Sequence, residues 1–346
     1  MICFGGFLFP VIFSNKHGRM RILARNPERM AKPVGCLNSA RTGKGTRMPR
    51  VSVLMPAYNS AKYIAEAIES ILNQTFTDFE FIIINDGSTD DTPKIVRKYA
   101  ARDPRIKFID NRRNQGLIAV LNQGLDLCTG EYIARMDSDD ISRPERFKLQ
   151  VDYMDAHPRV GVVGAWTRLF GALDGVYQYK RTVKLFDLLI YGANIAHPTA
   201  MIRTSVLRNN KIYYDPKYPH AEDYGFWVSI ARVSEIHNLQ TVLLDYRWHD
   251  TNVSVLHHKT QTESAERVRH DLLETVLTND KDVKKLLNLT RELHQHFWLL
   301  GFLPIIRRKQ YSITKTKYYL FEKIPLLRIQ DGNVYLFGFI KIGTLR

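Results

Sequence analysis

The chain has 346 residues, 45% of them apolar, and a formal net charge of +15. That apolar content supports a packed core and excludes a disordered chain, while the length allows one large domain or two. Nine Lys or Arg against a single acid, Glu28, fall within residues 1–47, so the rest is only mildly basic; with no zinc-finger, RNP or helix-turn-helix pattern, the charge argues against nucleic acid as a partner.

The apolar opening, Ile2 to Phe13, is shorter than the ~20 residues a bilayer-spanning helix needs, and its positive charges follow it instead of preceding it as in a signal peptide. Ser14 to Arg47 has no sustained period. Thr42-Gly43-Lys44-Gly45-Thr46 resembles a fragment of a phosphate loop but lacks its first glycine and the Ser or Thr after Lys. Met48-Pro49-Arg50 then leads straight into a strand, so translation is expected to start at Met48, with residues 1–47 a disordered or non-native extension; an intact mass that includes residue 1 would overturn this. Cys3, Cys36 and Cys128 are odd in number, widely spaced and without C-x-x-C, which places the protein in a reducing compartment, the cytoplasm.

From Val51 the pattern alternates. Val51 to Met55 is a short strand ended by Pro56, and Lys62 to Leu72 has helical apolar spacing at Ile64, Ala67, Ile68, Ile71 and Leu72. Phe79 to Ile84 is an unbroken apolar run, typical of a strand covered on both faces. A helix to about Ala101, a strand Ile106 to Ile109, a helix Leu117 to Leu127 and a strand Glu131 to Met136 follow. Ser142-Arg143-Pro144-Glu145 has the form of a capping box opening a helix to about Ala156. Such alternation predicts a mostly parallel sheet, with ligands at the carboxyl ends of its strands.

At one such end lies Asp137-Ser138-Asp139-Asp140. Carboxylates this crowded repel one another, and a hard divalent ion with oxygen ligands, Mg²⁺ or Mn²⁺, relieves that best while sharing the site with phosphates. Pro56-Ala57-Tyr58-Asn59, Ser70-Ile71-Leu72-Asn73-Gln74-Thr75, Asn85-Asp86-Gly87-Ser88 and Asn114-Gln115-Gly116 precede it in that order. Together these motifs, over Arg50 to Ser254, closely resemble the family 2 glycosyltransferases. The resemblance implies a GT-A fold, a Rossmann-like α/β architecture with a mostly parallel sheet and flanking helices, and a nucleotide-sugar donor.

It also implies roles. Pro56, Ala57, Tyr58 and Asn59 would lie against the nucleotide base, and Asp86 would accept from a uracil ring N–H; many relatives have Asp-Asp where this chain has Asn85-Asp86, so only Asp86 is carried over. Asp137 and Asp139 match the family's D-x-D, with Asp137 and Ser138 on the nucleotide side, Asp139 expected nearest the metal and Asp140 a further candidate ligand; which two of the three acids touch the ion is left open by the sequence. His220-Ala221-Glu222-Asp223-Tyr224 resembles the family's E-D motif, making Asp223 the base of an inverting displacement and Glu222 its helper. The alternative for these two acids is a favourable interaction with the helix dipole. Tyr246-Arg247-Trp248-His249-Asp250-Thr251-Asn252-Val253-Ser254 resembles the segment whose His, here His249, lies near the metal or the diphosphate. His197-Pro198-Thr199 resembles an acceptor-side loop, with a buried structural His as the competing reading.

The expected organisation is a catalytic domain over 48–258, divided into a nucleotide half, 48–145, and an acceptor half, 146–258, followed by a helical, basic and aromatic extension, 259–346. Within the extension, Phe297 to Ile306 is apolar but too short to span a bilayer, and Tyr319-Leu320-Phe321 recurs as Tyr335-Leu336-Phe337 among Lys and Arg. That suits either contact with the anionic inner face of the cytoplasmic membrane or a hairpin. The expected reaction is sugar transfer from a UDP-sugar to a saccharide or lipid-linked acceptor in envelope or exopolysaccharide assembly. Two competitors are a nucleotidyltransferase, which would carry a Gly-rich basic loop where Pro56 to Asn59 stands, and a non-catalytic nucleotide-sugar-binding protein, which would not need all of these acids.

Overall fold

The computed structural model describes residues 2–4, 7–9, 48–250, 252–277 and, in the tail, 306–312, 315–320, 324–330, 333–336 and 340–344. Most of residues 1–47 and the apolar stretch 297–305 therefore lie outside the described residues. The chain divides into two units, Met1–Val268 and Arg269–Arg346.

In the first unit, β1 (Ile2–Phe4) and β2 (Phe7–Phe9) form an antiparallel pair. The alternation follows: β3 (Val51–Ala57), α1 (Ile64–Leu72), β4 (Phe79–Asp86), α2 (Thr92–Ala100), β5 (Ile106–Asn111), α3 (Leu117–Leu127) and β6 (Tyr132–Arg135). Next come β7 (Ile141–Ser142), α4 (Arg146–Ala156), β8 (Val160–Gly171), β9 (Gly175–Tyr177), β10 (Thr182–Val183), α5 (Leu185–Tyr191), a 3₁₀ turn His197–Thr199, β11 (Met201–Arg203) and α6 (Thr204–Asn210). The unit closes with α7 (Glu222–Ala231), β12 (Glu235–Trp248), α8 (Val253–Leu256) and the start of α9 (His258–Leu277).

The main sheet runs β10-β12-β8-β11-β6-β3-β4-β5. Its β6-β3-β4-β5 half is parallel throughout, β8 and β12 are also parallel, and β11 is antiparallel to both of its neighbours. From β3 the chain proceeds to β4 and β5 on one side, then returns to β6 on the other. The order therefore reverses between β3 and β6, and the crevice beyond their carboxyl ends is where open α/β sheets bind ligands. β4 is buried along its whole length, as its unbroken apolar run requires. α1 turns Ile64, Ala67, Ile68 and Ile71 into the same core, at helical spacing.

Two local expectations are corrected. β3 does not end at Pro56 but runs through Ala57, both residues buried. Val51 N–H donates towards β4, to Asp78 O, so the even-numbered N–H groups of this parallel strand face β6. β6 pairs with β3 only up to Leu54, so the donor that Pro56 lacks would have no partner strand to meet. Nor does Ser142 cap α4: the helix starts at Arg146 without a side-chain cap bond. Ser142 is held extended by pairing with Leu244 of β12, and its hydroxyl accepts from Gln74 Nε2 at 3.2 Å.

In the second unit the tail forms an antiparallel meander, β13 (Ile306–Ser312), β14 (Lys315–Leu320), β15 (Ile324–Gln330), β16 (Asn333–Leu336) and β17 (Ile340–Thr344). Among the described residues the extension is helical only over α9; the repeated Tyr-Leu-Phe begins at the ends of β14 and β16, with Phe321 and Phe337 outside the described residues. Among the described residues no helix is long and apolar enough to cross a membrane.

Candidate active site

The loops after β3, β4 and β6 meet at the switch point. Asn59, with φ 47°, accepts Thr89 N–H at 2.9 Å, and its own N–H donates to Ser88 Oγ at 2.9 Å. Ser60 Oγ lies 2.7 Å from Ser138 Oγ, joining the first loop to the acidic stretch. Tyr58 is exposed at this edge, whereas Pro56 and Ala57 belong to the strand. The Asp86 carboxylate is buried and accepts Gln115 N–H at 2.8 Å and Gly116 N–H at 2.9 Å. A carboxylate offers about four lone-pair positions, so capacity for a further donor remains. Gly87 makes the close approach possible: at φ +67° a Cβ there would sit 2.6 Å from Arg113 C and Asn114 N.

One carboxylate oxygen each from Asp137, Asp139 and Asp140 lies within 4.8 Å of the others. Their other contacts differ. Asp137 pairs with the buried Arg135 guanidinium. Asp139 Oδ2 is 3.0 Å from His249 Nε2, and the His249 ring stacks on Tyr63. Asp140 Oδ1 accepts Arg247 N–H at 2.9 Å, while its Oδ2 is buried with no hydrogen-bond partner. Burial, then the charges of Asp139 and Asp137, holds the Asp140 carboxyl well above its usual range; burial outweighs Arg135 to raise Asp137 as well. An all-oxygen donor set, mutually repelling and with one buried oxygen unsatisfied, fits a hard divalent cation.

Glu222 and Asp223 open α7. Burial raises Asp223 to about 6 and Glu222 to about 7, the latter with a further push from Asp223. Arg135 and Asp137 perturb both acids, so the pair and the acidic stretch share one electrostatic environment centred on Arg135. His197 lies deeper. It is buried, its Nε2 is 2.8 Å from Tyr214 Oη, its ring meets Trp227 edge-on, and burial holds its pKa well below normal.

Several residues that build the site carry no catalytic signature. Gln74 reaches Ser70 O, Ser142 Oγ and Arg143 O through Nε2, and its Oε1 accepts Phe147 N–H. The Ser70-to-Thr75 motif therefore fastens the chain just beyond the acidic stretch. Arg247 Nε donates to Asp139 O at 2.8 Å, and its guanidinium lies 4.5 Å from both the Tyr63 and Phe170 ring centres.

Arg146, fully buried, donates to Arg135 O at 2.7 Å, Gln150 Oε1 at 3.1 Å and Ala200 O at 3.4 Å. Gln150 in turn donates to Thr199 O at 2.7 Å and Val163 O at 3.0 Å. The pair joins the start of the acidic stretch to the His197 turn. Ala200 O keeps the Arg135 N–H at 2.9 Å, but Arg146→Met should take the side-chain donor from buried Arg135 O and Gln150 Oε1 and cost on the order of 2–4 kcal/mol, lowering the thermal midpoint by roughly 5–10 °C. A calorimetric midpoint equal to wild type would refute this role.

The Glycosyl transferase family 2 profile matches residues 52–214. An uncharacterized glycosyltransferase of Haemophilus influenzae Rd is 34% identical, over 64% of this chain and 73% of its own. The chain belongs to the family 2 glycosyltransferases. Chondroitin synthase of Escherichia coli is 29% identical to this glycosyltransferase over 73% of the present chain, which spans only 36% of that larger protein. S. aureus TarS 1-349, solved with UDP-GlcNAc, superposes with a TM-score of 0.55 at 26% identity, covering 67% of each chain. The GT-A fold of the enzyme follows from these neighbours and from its own sheet.

Proposed function

We propose that this glycosyltransferase is an inverting, divalent-metal-dependent enzyme. It moves a sugar from a UDP-sugar to a saccharide or lipid-linked acceptor in cell-envelope or exopolysaccharide assembly. The observation that carries the reading is the convergence of the acidic stretch and the Glu222–Asp223 pair on buried Arg135. The UDP-GlcNAc bound to TarS and the chondroitin synthase relative favour the donor and product classes. Residues 48–258 act as the catalytic domain, with 48–145 on the nucleotide side and 146–258 on the acceptor side. The 259–346 extension is available to the inner membrane face.

Pro56, Ala57, Tyr58, Asn59 and Ser138 border the nucleotide, and the spare lone pairs of Asp86 take the base N–H. Asp139, Asp140 and His249 hold Mg²⁺ or Mn²⁺, with Asp137 kept beside them by Arg135. When bound, the ion draws charge from the departing diphosphate. Asp223, with its pKa near 6, is ionised at neutral pH yet basic enough to take the proton of the acceptor hydroxyl. Glu222 orients the acceptor, and His197 supports that side from behind through Tyr214.

The test is release of nucleoside diphosphate from a panel of nucleotide sugars with Mn²⁺ or Mg²⁺ and candidate acceptors, and NMR of the product anomer. Turnover of a UDP-sugar with inverted configuration is the expected result. A retained anomer would refute the single displacement, and a preference for GDP-sugars would refute the donor.

A further inference from the structure

The start of α9 sits against the loop that delivers Asp223. His257 stacks on His220, ring centres 4.1 Å apart and planes 4° from parallel. Gln261 Nε2 donates to His220 O at 3.0 Å, and Arg267 Nη1 donates to Lys217 O at 2.6 Å. Ser264, Ala265 and Val268, on the same part of the helix, are buried.

What these contacts hold is strained. His220 has φ 63°, a left-handed backbone that a side chain other than glycine adopts at a cost and keeps only where its surroundings fix it. Ala221 follows as the helix cap, then Glu222 and Asp223. From the other side, Gly225 lets the Tyr218 ring close on α7, since a Cβ there would lie 2.5 Å from Tyr218 Cδ2. Asp223 therefore sits three residues beyond a backbone kink that α9 holds from outside.

We infer that His257 and Gln261 are positioning residues: by fixing left-handed His220 they set the start of α7 and hence the direction of the Asp223 carboxylate. This rests on Asp223 being the base. It also makes the first turns of α9 part of the catalytic unit, beyond the boundary at 258.

The test uses the full chain and two readouts, hydrogen exchange by mass spectrometry and kcat for nucleoside diphosphate release from the donor selected above. His257→Ala combined with Gln261→Ala should speed exchange at 217–226 about tenfold, leave 132–142 unchanged, and lower kcat about tenfold at constant donor KM. Adding His220→Gly, which removes the left-handed penalty, should restore most of the lost kcat. Unchanged exchange at 217–226, an increase spread equally over both segments, or local loosening with wild-type kcat would each overturn the inference. Asp223→Asn alongside separates the two readings. If it stays active, the base assignment fails and the positioning role falls with it; if it is inactive while the double variant matches wild type, the positioning role fails alone.

Discussion

Asp223→Asn is expected to lower kcat for sugar transfer by about 10²–10⁴-fold, the usual contribution of a positioned general base, while UDP affinity stays within a few-fold of wild type. The amide is nearly isosteric but cannot take a proton. With Asp223 as the base, its pKa of about 6 should give the wild-type pH profile an acid limb. Below that value the base is protonated and kcat should fall about tenfold per pH unit, a limb that the variant's residual rate lacks.

Stability should move in the opposite direction. Because folding raises this carboxyl above its ordinary value of 3.8, the associated stability is fully present below that value and is lost as pH rises through about 6. At pH 7.5 the native state holds a charge that burial disfavours, so Asp223→Asn should unfold at a higher temperature than wild type. The gain should vanish near pH 4. A variant that transfers sugar at the wild-type rate, or that is destabilised at pH 7.5, would refute Asp223 as a half-buried, ionised base.

The contrast between what the sequence announced and what it concealed follows contact range. β4 and α1 were legible because their apolar spacing is local and their burial follows from it. The acidic stretch was legible because three carboxylates within four residues have few other uses. Arg247 stood in the Tyr246-to-Ser254 segment, but its contacts were not legible: it meets Asp140 across 107 residues, and its roles as donor and as a cation between two rings arise only when β12 comes beside β7. Arg146 and Gln150, and the task of Gln74 within its motif, were hidden for the same reason, since a buried amide or guanidinium linking carbonyls leaves no spacing rule behind. The Ser142 capping box misled because a local cap signal competed with strand pairing to Leu244, and the pairing won. His197 shows the limit of motif transfer: the motif located the turn, but packing against Tyr214 and Trp227 determines what the ring touches.

The acidic stretch supplies the second large effect. Without a cation, Asp137 and Asp140 carry raised pKa values, so their stabilising contribution is present below the ordinary carboxylate range and lost as pH rises through the folded values. The metal-free protein should therefore be less stable at pH 7.5 than this site would otherwise allow. Mn²⁺ at about 100 times its dissociation constant should add ~2.7 kcal/mol by mass action, raising the thermal midpoint by roughly 5–10 °C at pH 7.5. The gain should be much smaller at pH 5, where protons compete for the same oxygens. Asp140→Asn keeps an acceptor for Arg247 N–H but removes the charge on the unsatisfied oxygen. In EDTA it should melt above wild type at pH 7.5, yet it should lose most of the Mn²⁺ shift and of the metal-dependent turnover. Asp139→Ala should lose the Mn²⁺ shift as well, and His249, 3.0 Å from Asp139, gives up its carboxylate partner in that variant. A full Mn²⁺ shift in Asp140→Asn would place the cation elsewhere. Wild-type turnover in EDTA would remove the metal from the reaction and leave Arg135 and His249 to meet the charge on the departing diphosphate.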